Sequence, residues 1–286
     1  MLRSSSGYRI CQGDSIVEAS TLEDLAATEE GALPGLIALE LGLPPVEVKI
    51  HSASPRGGGL GGSSALAIAL IATGEVICGV AESSAESRAA LARDIEARLM
   101  ELPTGCQDHF PALLGGVLEI RHEPGGEQVR HLAVDLAALG RSLLVVYTGQ
   151  SHFSAGSNWR MIRRRLESDP ETIRCFDGIR DAAREMADAV EQEEWARAGE
   201  LMSQEWFWRR QLAEGISTPA IEDLLEVAKS SGAWGGKVCG AGGGGSVVLL
   251  CPPDRRQEIA EILTARGGQV LPTGPVAEAL KVEVLE

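Results

Sequence analysis

The stretch that decides the fold is Pro55-Arg-Gly-Gly-Gly-Leu-Gly-Gly-Ser-Ser-Ala65. It follows residues 45–52, whose alternation of apolar and polar side chains predicts a β-strand. It runs into residues 63–78, which are apolar on nearly every side and predict a buried helix with a serine at its start. Glycines let the backbone approach a ligand closely, and a helix N-terminus adds partial positive charge. The stretch therefore predicts a phosphate site.

A second glycine-rich run, GGKVCGAGGGGSVVLL, covers residues 235–250 and ends in a predicted strand. Both glycine-rich runs are joined directly to apolar segments, whereas flexible linkers have polar flanks. Neither meets the full context of a dinucleotide-binding loop or a P-loop. The first is followed by two helices rather than a helix and a strand, and Val238 rather than Ser or Thr follows Lys237. Both runs are predicted to be structured loops.

A second helix is predicted over residues 83–102, opening with a capping box from Ser83 to Glu86. Its buried stripe is predicted from residues at helical spacing, namely Ala85, Ala89, Ala92 and Leu99. Glu96 falls on that stripe, and a buried carboxylate is costly unless it is paired or bound to a cation. An ion pair with an arginine and a Mg²⁺ ligand both remain open. Asp108, twelve residues on, follows a Pro-Thr-Gly turn and on its own could be a simple cap or turn residue.

The charge balance argues against two broad classes of partner. The chain has 286 residues, with 41 acidic and 26 basic side chains and a net charge of −15. Binding to duplex nucleic acid depends on Lys and Arg to neutralise phosphates, so no nucleic-acid partner is expected. The longest apolar run, residues 65–72, is far shorter than the ~20 residues that span a bilayer, and no signal-like leader opens the chain. We therefore expect no membrane partner and a cytoplasmic location.

The six cysteines lie at positions 11, 78, 106, 175, 239 and 251, with no C-x-x-C pair and no metal pattern that includes histidine. This spacing predicts free thiols in a reducing compartment. Any metal ligands are accordingly expected to be oxygen atoms.

The remaining pattern predicts two α+β domains that meet near residue 140. Short strands are predicted at 115–121 and 128–133, and a β-branched run from Leu143 to Tyr147 opens the second unit. Residues 155–214 are predicted to be mainly helical. Their tryptophans are expected to anchor the core of the helical layer.

Four segments of the chain together resemble the GHMP kinases (galactokinase, homoserine, mevalonate and phosphomevalonate kinases). Pro55–Ala65 resembles the second signature of the family, and Lys237–Ser246 resembles the third. Pro103–Asp108 aligns with the segment that carries the catalytic aspartate, and Glu96 lies where the magnesium-binding glutamate is expected. The four matches occur in the family's order over about 190 residues.

Within the family, the chain is most similar to the sugar kinases that act on heptose 7-phosphate. The similarity comes from the GLG-x-SSA form of the first loop and from the segment Tyr147–Ser154. It also comes from Glu205-Trp206, Ile216-Ser217 and the GGK-x-x-GAGGGG run.

The resemblance implies an α+β, two-domain GHMP kinase fold. Residues 1–139 would form an N-terminal, nucleotide-binding domain like ribosomal protein S5 domain 2, truncated at its start, and residues 140–286 a ferredoxin-like C-terminal domain. The implied activity is ATP-dependent phosphorylation of a hydroxyl on a small-molecule sugar or sugar phosphate. Other acceptors, such as fucose, galactose or a mevalonate-type alcohol, stay open. So does a nucleotide-binding remnant without catalysis.

The resemblance also implies roles for individual residues. Asp108 would be the catalytic residue, and Glu96 with Ser63 or Ser64 would bind Mg²⁺. The nucleotide phosphates would be bound by Pro55, Gly57, Gly58, Gly59, Leu60, Gly61, Gly62, Ser63 and Ser64. The third-signature loop would comprise Lys237, Gly240, Gly242, Gly243, Gly244 and Gly245. Lys237 itself would either form an ion pair or reach a phosphate.

The sequence departs from the family pattern at two informative places. Nothing in residues 1–45 resembles the first signature, a strand and loop of the RAPLRISFAGGGTD kind that helps to bind the sugar, so the sugar subsite is expected to be altered. His152 stands where the heptose kinases usually have Arg. If that position contacts a substrate phosphate, histidine supplies a weaker and pH-dependent charge.

Overall fold

The computed structural model describes residues 1–151 and 155–285. Its first half is built on a four-stranded sheet with the spatial order β1-β4-β2-β3. The strands are β1 (Leu2–Ser4), β2 (Tyr8–Gln12), β3 (Ser15–Ala19) and β4 (Val46–Ile50). β4 lies parallel to β2 and antiparallel to β1. Val48, in the middle of the predicted strand, pairs in register with Ile10, and both side chains are buried.

Five helices pack with this sheet around one apolar core. They are α1 (Leu22–Ala26), α2 (Ala32–Leu41), α3 (Gly62–Cys78), α4 (Ala85–Met100) and α5 (His109–Leu114). α3 is the predicted apolar helix, and its Ile68 and Ile71 are fully buried together with Ile95 of α4 and Phe110 of α5. α4 begins one residue later than the predicted capping box, because Ser84 rather than Ser83 accepts the hydrogen bond from the backbone N–H of Ser87.

A hairpin and a short helix connect the two halves. The hairpin pairs β5 (Leu118–Glu123) with β6 (Gly126–His131), close to the two predicted strands, and α6 (Leu136–Ser142) follows. The chain returns to this region at its end. The backbone N–H of Gly116 donates to the carbonyl of Val276 (2.8 Å), and the N–H of Leu280 donates to that of Leu113 (3.1 Å). The segment after the last strand therefore rests on the first half.

The second half is a four-stranded antiparallel sheet with the order β10-β7-β9-β8. Its strands are β7 (Leu143–Tyr147), β8 (Gly235–Val238), β9 (Ser246–Leu250) and β10 (Gln269–Val270). Its helices are α7 (Ala155–Leu166), α8 (Pro170–Glu191), α9 (Trp195–Arg209), α10 (Pro219–Ser230) and α11 (Arg256–Ala265). Numbered within this half, the strand order is 4-1-3-2, which is the ferredoxin-like arrangement that was predicted.

The tryptophans of the helical layer pack as expected. Trp206 lies in the core of the second half, and Trp195 and Trp208 are partly buried against the apolar clusters. Trp208 also lies beneath the guanidinium of Arg174, 5.4 Å from the ring centre. Within residues 1–151 and 155–285, none of the helices combines the length and the apolar character needed to cross a membrane.

Candidate active site

The first glycine-rich loop connects β4 to the start of α3 and exposes backbone amides there. Gly57, Gly59 and Gly61 have φ values of 67°, 72° and 70°, a region that side-chain-bearing residues rarely adopt. Gly61 precedes α3 without any side-chain cap. The first amides of a helix lack intrahelical partners, so those of residues 62–64 are free to bind an anion.

The two glycine-rich loops touch each other where the two halves of the chain meet. A Cβ on Gly59 would lie 2.6 Å from the carbonyl oxygen of Cys239, and a Cβ on Gly240 would lie 3.1 Å from the Cα of Gly59. The backbone N–H of Ser246 donates to the carbonyl of Gly58 (2.9 Å). The glycines are therefore required for close packing as well as for backbone conformation, and either loop would be displaced by a side chain on the other.

The third-signature loop is held on its far side by the segment after β7. The backbone N–H of Gly245 donates to the carbonyl of Gln150 (2.7 Å), and its own carbonyl accepts from Thr148. Gly243 donates to the carbonyl of Ile216 (2.6 Å). Positive φ values are found at Gly240, Gly242, Gly243, Gly244 and Gly245. His152, which stands where the heptose kinases usually have arginine, lies outside the described residues.

Glu96 is a residue of α4 whose side chain is buried against the start of α3, at 5% exposure. Hydroxyl and imidazole groups surround its carboxylate. Ser63 Oγ donates to Oε1 (2.7 Å), and Ser64 Oγ lies 3.1 Å from Oε2. His109 Nε2 lies 2.8 Å from Oε2. Burial alone would raise the pKa of Glu96, but His109 and the two serines outweigh it and hold the pKa below its usual value.

These contacts decide one question that the sequence left open. Glu96 is not paired with an arginine; the buried arginine of α4, Arg88, pairs with Glu75 instead. The predicted buried stripe of α4 is confirmed at Ala89 and Ala92, which are fully buried. It is wrong for Leu99, whose side chain is 39% exposed because the buried face of α4 turns away before its last turn.

Asp108 lies directly beside the first loop. A Cβ on Gly61 would be 3.2 Å from its Cγ, so only glycine leaves room for the carboxylate. Asp108 occupies the N-cap position of α5, but its side chain makes no capping hydrogen bond. The carboxylate stays open to solvent although protein atoms crowd it. That crowding, with the nearby charge of Glu96, raises the pKa of Asp108 despite the opposing effect of His109.

His109 is a site residue that is absent from the residues singled out in the sequence. It directly follows Asp108, is 1% exposed and touches Glu96. The available signal was Leu113, four residues later on the same face of α5 and also buried. His109 therefore joins α5 to the carboxylate of α4.

Lys237 lies in β8 rather than in the third-signature loop. Its Nζ is 2.9 Å from Glu205 Oε2, and Arg209 Nε donates to Glu205 Oε1 (2.5 Å). Burial lowers the pKa of Lys237, although Glu205 opposes the shift. Of the two predicted roles, the structure contains the ion pair.

Comparisons with known proteins agree with this arrangement. The model of the GHMP kinases N terminal domain matches residues 27–116, and that of the GHMP kinases C terminal domain matches residues 186–269. Mevalonate kinase from Pyrococcus abyssi is 32% identical over 244 residues, which cover 83% of this chain and 69% of that protein. The bifunctional fucokinase/GDP-fucose pyrophosphorylase of Arabidopsis thaliana is 29% identical over 202 residues, 68% of this chain and 19% of that protein.

Solved structures match the whole fold at lower identity. A D-glycero-D-manno-heptose 1-phosphate kinase from Bacteroides thetaiotaomicron gives a TM-score of 0.74 at 18% identity, covering 99% of this chain and 86% of the other. The galactokinase of Lactococcus lactis gives 0.76 at 12% identity, covering 98% and 84%. The two matched domains, the two-domain fold and the identity to the mevalonate kinase lead to one conclusion: this chain belongs to the GHMP kinases.

Proposed function

We propose that this chain transfers the γ-phosphoryl group of ATP to a hydroxyl of a sugar or sugar phosphate, with Mg²⁺ as the metal. One observation carries the proposal: free helix amides, an oxygen-ligand cluster and an uncapped carboxylate converge beside Gly61. Phosphoryl transfer depends mainly on positioning and on neutralising charge, and these three features supply both.

The loop fits a nucleotide phosphate. The left-handed glycines of residues 57–61 lead directly into α3, whose first backbone amides have no side-chain cap. Residues 240–245 close over this loop in direct contact with Gly58 and Gly59. The amides and the helix N-terminus would hold the phosphate oxygens.

The cluster around Glu96 fits Mg²⁺, which prefers oxygen ligands. Ser63 is exposed at the loop, whereas Ser64 is 8% exposed and contacts both carboxylate oxygens. We assign Ser63 and Glu96 as the ligands, and Ser64 and His109 as the residues that orient Glu96. Bound Mg²⁺ would offset the negative charge of the transferring phosphate.

Asp108 would accept the proton of the acceptor hydroxyl. Its carboxylate is free of capping hydrogen bonds and lies beside the phosphate loop, as a general base must. The raised pKa moves Asp108 toward the working pH, which favours proton acceptance over permanent ionisation.

The acceptor is proposed as a sugar or sugar phosphate because the loop and helix motifs resemble those of the heptose kinases. Fold similarity to heptose-phosphate kinase and galactokinase accords with this assignment. Mevalonate is the second candidate, and the 32% identity to an archaeal mevalonate kinase favours it.

The test is ADP release from Mg-ATP by the full 286-residue chain, with heptose 7-phosphate, fucose, galactose, mannose and mevalonate as separate acceptors. Acceptor-dependent turnover with one of the sugars supports the proposal, and turnover with mevalonate alone replaces the sugar assignment. ATP binding without turnover on any acceptor would overturn the kinase proposal in favour of a nucleotide-binding remnant. Asp108→Asn should abolish turnover but keep ATP binding, whereas Asp181→Asn, on the exposed face of α8, should change neither.

A further inference from the structure

Three side chains with metal-binding atoms meet near the loop that carries Asp108. Cys106 Sγ, His122 Nδ1 and Glu127 Oε1 all lie within 4.8 Å of one another. Cys106 Sγ donates to Glu127 Oε1 (3.1 Å), and His122 Nδ1 lies 3.7 Å from the same oxygen. The group lies outside the Glu96 cluster and takes no part in the proposed phosphoryl transfer.

The fold places these atoms together before any ligand binds. His122 and Glu127 are directly opposite each other in the β5–β6 register, so their side chains project from the same face of the hairpin. The hairpin turn between them is short, which fixes their separation. Cys106 comes from the segment between α4 and α5 and is 3% exposed, so packing holds its sulfur against the hairpin.

The donor set selects a particular class of cation. A thiol sulfur, an imidazole nitrogen and one carboxylate oxygen suit zinc and related transition metals, whereas Mg²⁺ and Ca²⁺ prefer all-oxygen sites. In tetrahedral zinc sites the ligand bonds are about 2.0–2.3 Å, which puts neighbouring ligand atoms about 3.3–3.8 Å apart. The separations of 3.1 and 3.7 Å lie at or near that range.

We propose that Cys106, His122 and Glu127 form a three-ligand site for a zinc-class divalent cation, with water in the fourth position. Binding would form a metal–sulfur bond and release the thiol proton of Cys106 to solvent, with no change of oxidation state. Burial, with the Glu127 carboxylate, raises the pKa of Cys106 to about 11. The thiol is therefore protonated until a cation displaces the proton.

The guanidinium of Arg93 must move away from Glu127 when the metal binds. Arg93 Nη1 lies 3.5 Å from Glu127 Oε1, and its guanidinium weakly opposes a metal there. Arg93 Nε already contacts Asp94 Oδ1 (3.3 Å), which is exposed, so the arginine has an alternative partner toward solvent. The metal would then join the hairpin to the segment two residues before Asp108. It would thereby restrain the catalytic loop without entering it.

The test is a Co²⁺ titration of the chelator-treated chain, followed by the near-ultraviolet thiolate-to-cobalt band and the visible bands of tetrahedral Co²⁺. We expect the thiolate band to saturate at one Co²⁺ per chain and to disappear when Zn²⁺ displaces the Co²⁺. Cys106→Ser should remove the thiolate band, and His122→Ala, at an exposed position, should weaken binding at least roughly tenfold. Cys78→Ser and His131→Ala are matched controls that should bind like the wild type.

A second readout does not depend on the spectrum. Zn²⁺ at 100 times its Kd should raise the Tm of the wild-type chain by roughly 5 °C, and of His122→Ala far less. An absent thiolate band at stoichiometric Co²⁺ overturns the site, as does a band that persists in a folded Cys106→Ser variant. Equal Tm shifts in wild type and His122→Ala would also overturn it. Kinase activity is not needed for either readout, so failure here leaves the proposed function standing.

Discussion

Helices α3 and α4 lie antiparallel, and each end of their contact buries a glutamate in a different way. At one end Glu75 of α3 receives two hydrogen bonds from Arg88 of α4, at 3.0 and 2.6 Å. At the other end Glu96 of α4 is met by two hydroxyls of α3 and by His109 of α5. Both carboxylates are nearly inaccessible, at 4% and 5% exposure.

The difference lies in what remains available to a ligand. The guanidinium of Arg88 neutralises Glu75 and occupies its oxygen in a fixed geometry, so that end can only hold the helices together. Glu96 has hydroxyl donors and one imidazole but no permanently charged partner. Among the described residues, no arginine or lysine therefore neutralises its carboxylate beside the first glycine-rich loop. The lack of such a partner is what supports the proposal that Glu96 binds Mg²⁺.

Removing the arginine should have the largest effect on stability. Arg88→Met leaves Glu75 buried without a cation, and this should cost about 3–5 kcal/mol in the free energy of unfolding. Urea unfolding monitored by circular dichroism measures the loss. Arg98→Met is the matched control on the same helix. Its pair with Glu40 is exposed, so its loss should cost about 1 kcal/mol or less.

A double variant separates loss of the pair from loss of packing. Glu75→Leu combined with Arg88→Met removes both charges and should recover most of the stability lost in Arg88→Met alone. A double variant as unstable as the single one would show that the arginine acts through its hydrocarbon packing. The two ends of the helix contact would then not differ in the way described.

At the Glu96 end of the helix contact, called the open end below, the corresponding change should affect catalysis rather than stability. Glu96→Gln keeps the shape and removes the charge, so kcat/KM at limiting Mg²⁺ should fall roughly 100-fold. Saturating Mg²⁺ should restore part of it, and the free energy of unfolding should change little. Glu214→Gln, at an exposed position in the second half of the chain, is the control. A large loss of stability with unchanged Mg²⁺ dependence would make Glu96 a structural residue like Glu75.

The sequence predicted the elements around the open end well. The helix expected at residues 63–78 is Gly62–Cys78, the strand expected at 45–52 is Val46–Ile50, and β7 has the predicted bounds Leu143–Tyr147. Each follows from a local cause, either apolar periodicity or glycine that only certain turns require. Glu96 could be found for the same reason, because one charged residue interrupted an apolar stripe.

The partners across space could not be predicted in this way. His109 meets Glu96 only because α5 packs on α4, and Lys237 meets Glu205 from a helix more than 30 residues earlier in the chain. The cluster of Cys106, His122 and Glu127 depends on the hairpin register and has no recognisable spacing in the sequence. Pairings of this kind come from tertiary packing, which periodicity does not encode.

The two serines allow the roles at the open end to be separated. Ser63→Ala should raise the Mg²⁺ concentration for half-maximal activity roughly tenfold, because Ser63 is exposed at the loop and is the proposed ligand. Ser64→Ala should instead cost about 1–2 kcal/mol in stability, since it leaves a buried carboxylate with fewer donors. Both variants are measured for activity as a function of Mg²⁺ concentration and for urea unfolding. If Ser64→Ala changes the Mg²⁺ dependence and Ser63→Ala changes the stability, the two roles must be exchanged.

The Glu75–Arg88 pair at the closed end of the helix contact should also make the Tm depend on acid pH. This is the smallest of the four predicted effects. Burial opposes ionisation of Glu75, but Arg88 and Ser83 outweigh it and hold its pKa below the usual 4.5. The folded chain therefore binds this proton less readily than the unfolded chain. The ion pair's contribution is complete above pH 4.5 and is lost as the pH falls through the lower folded-state pKa. Glutamine mimics the protonated acid, so the Tm difference between wild type and Glu75→Gln should be constant from pH 7 to pH 5. It should shrink as the pH falls below 4.5 and through the lower folded-state pKa. A difference that stays constant down to the lowest pH at which the chain remains folded would mean that hydrogen-bond geometry, rather than charge, separates Glu75 from Glu96.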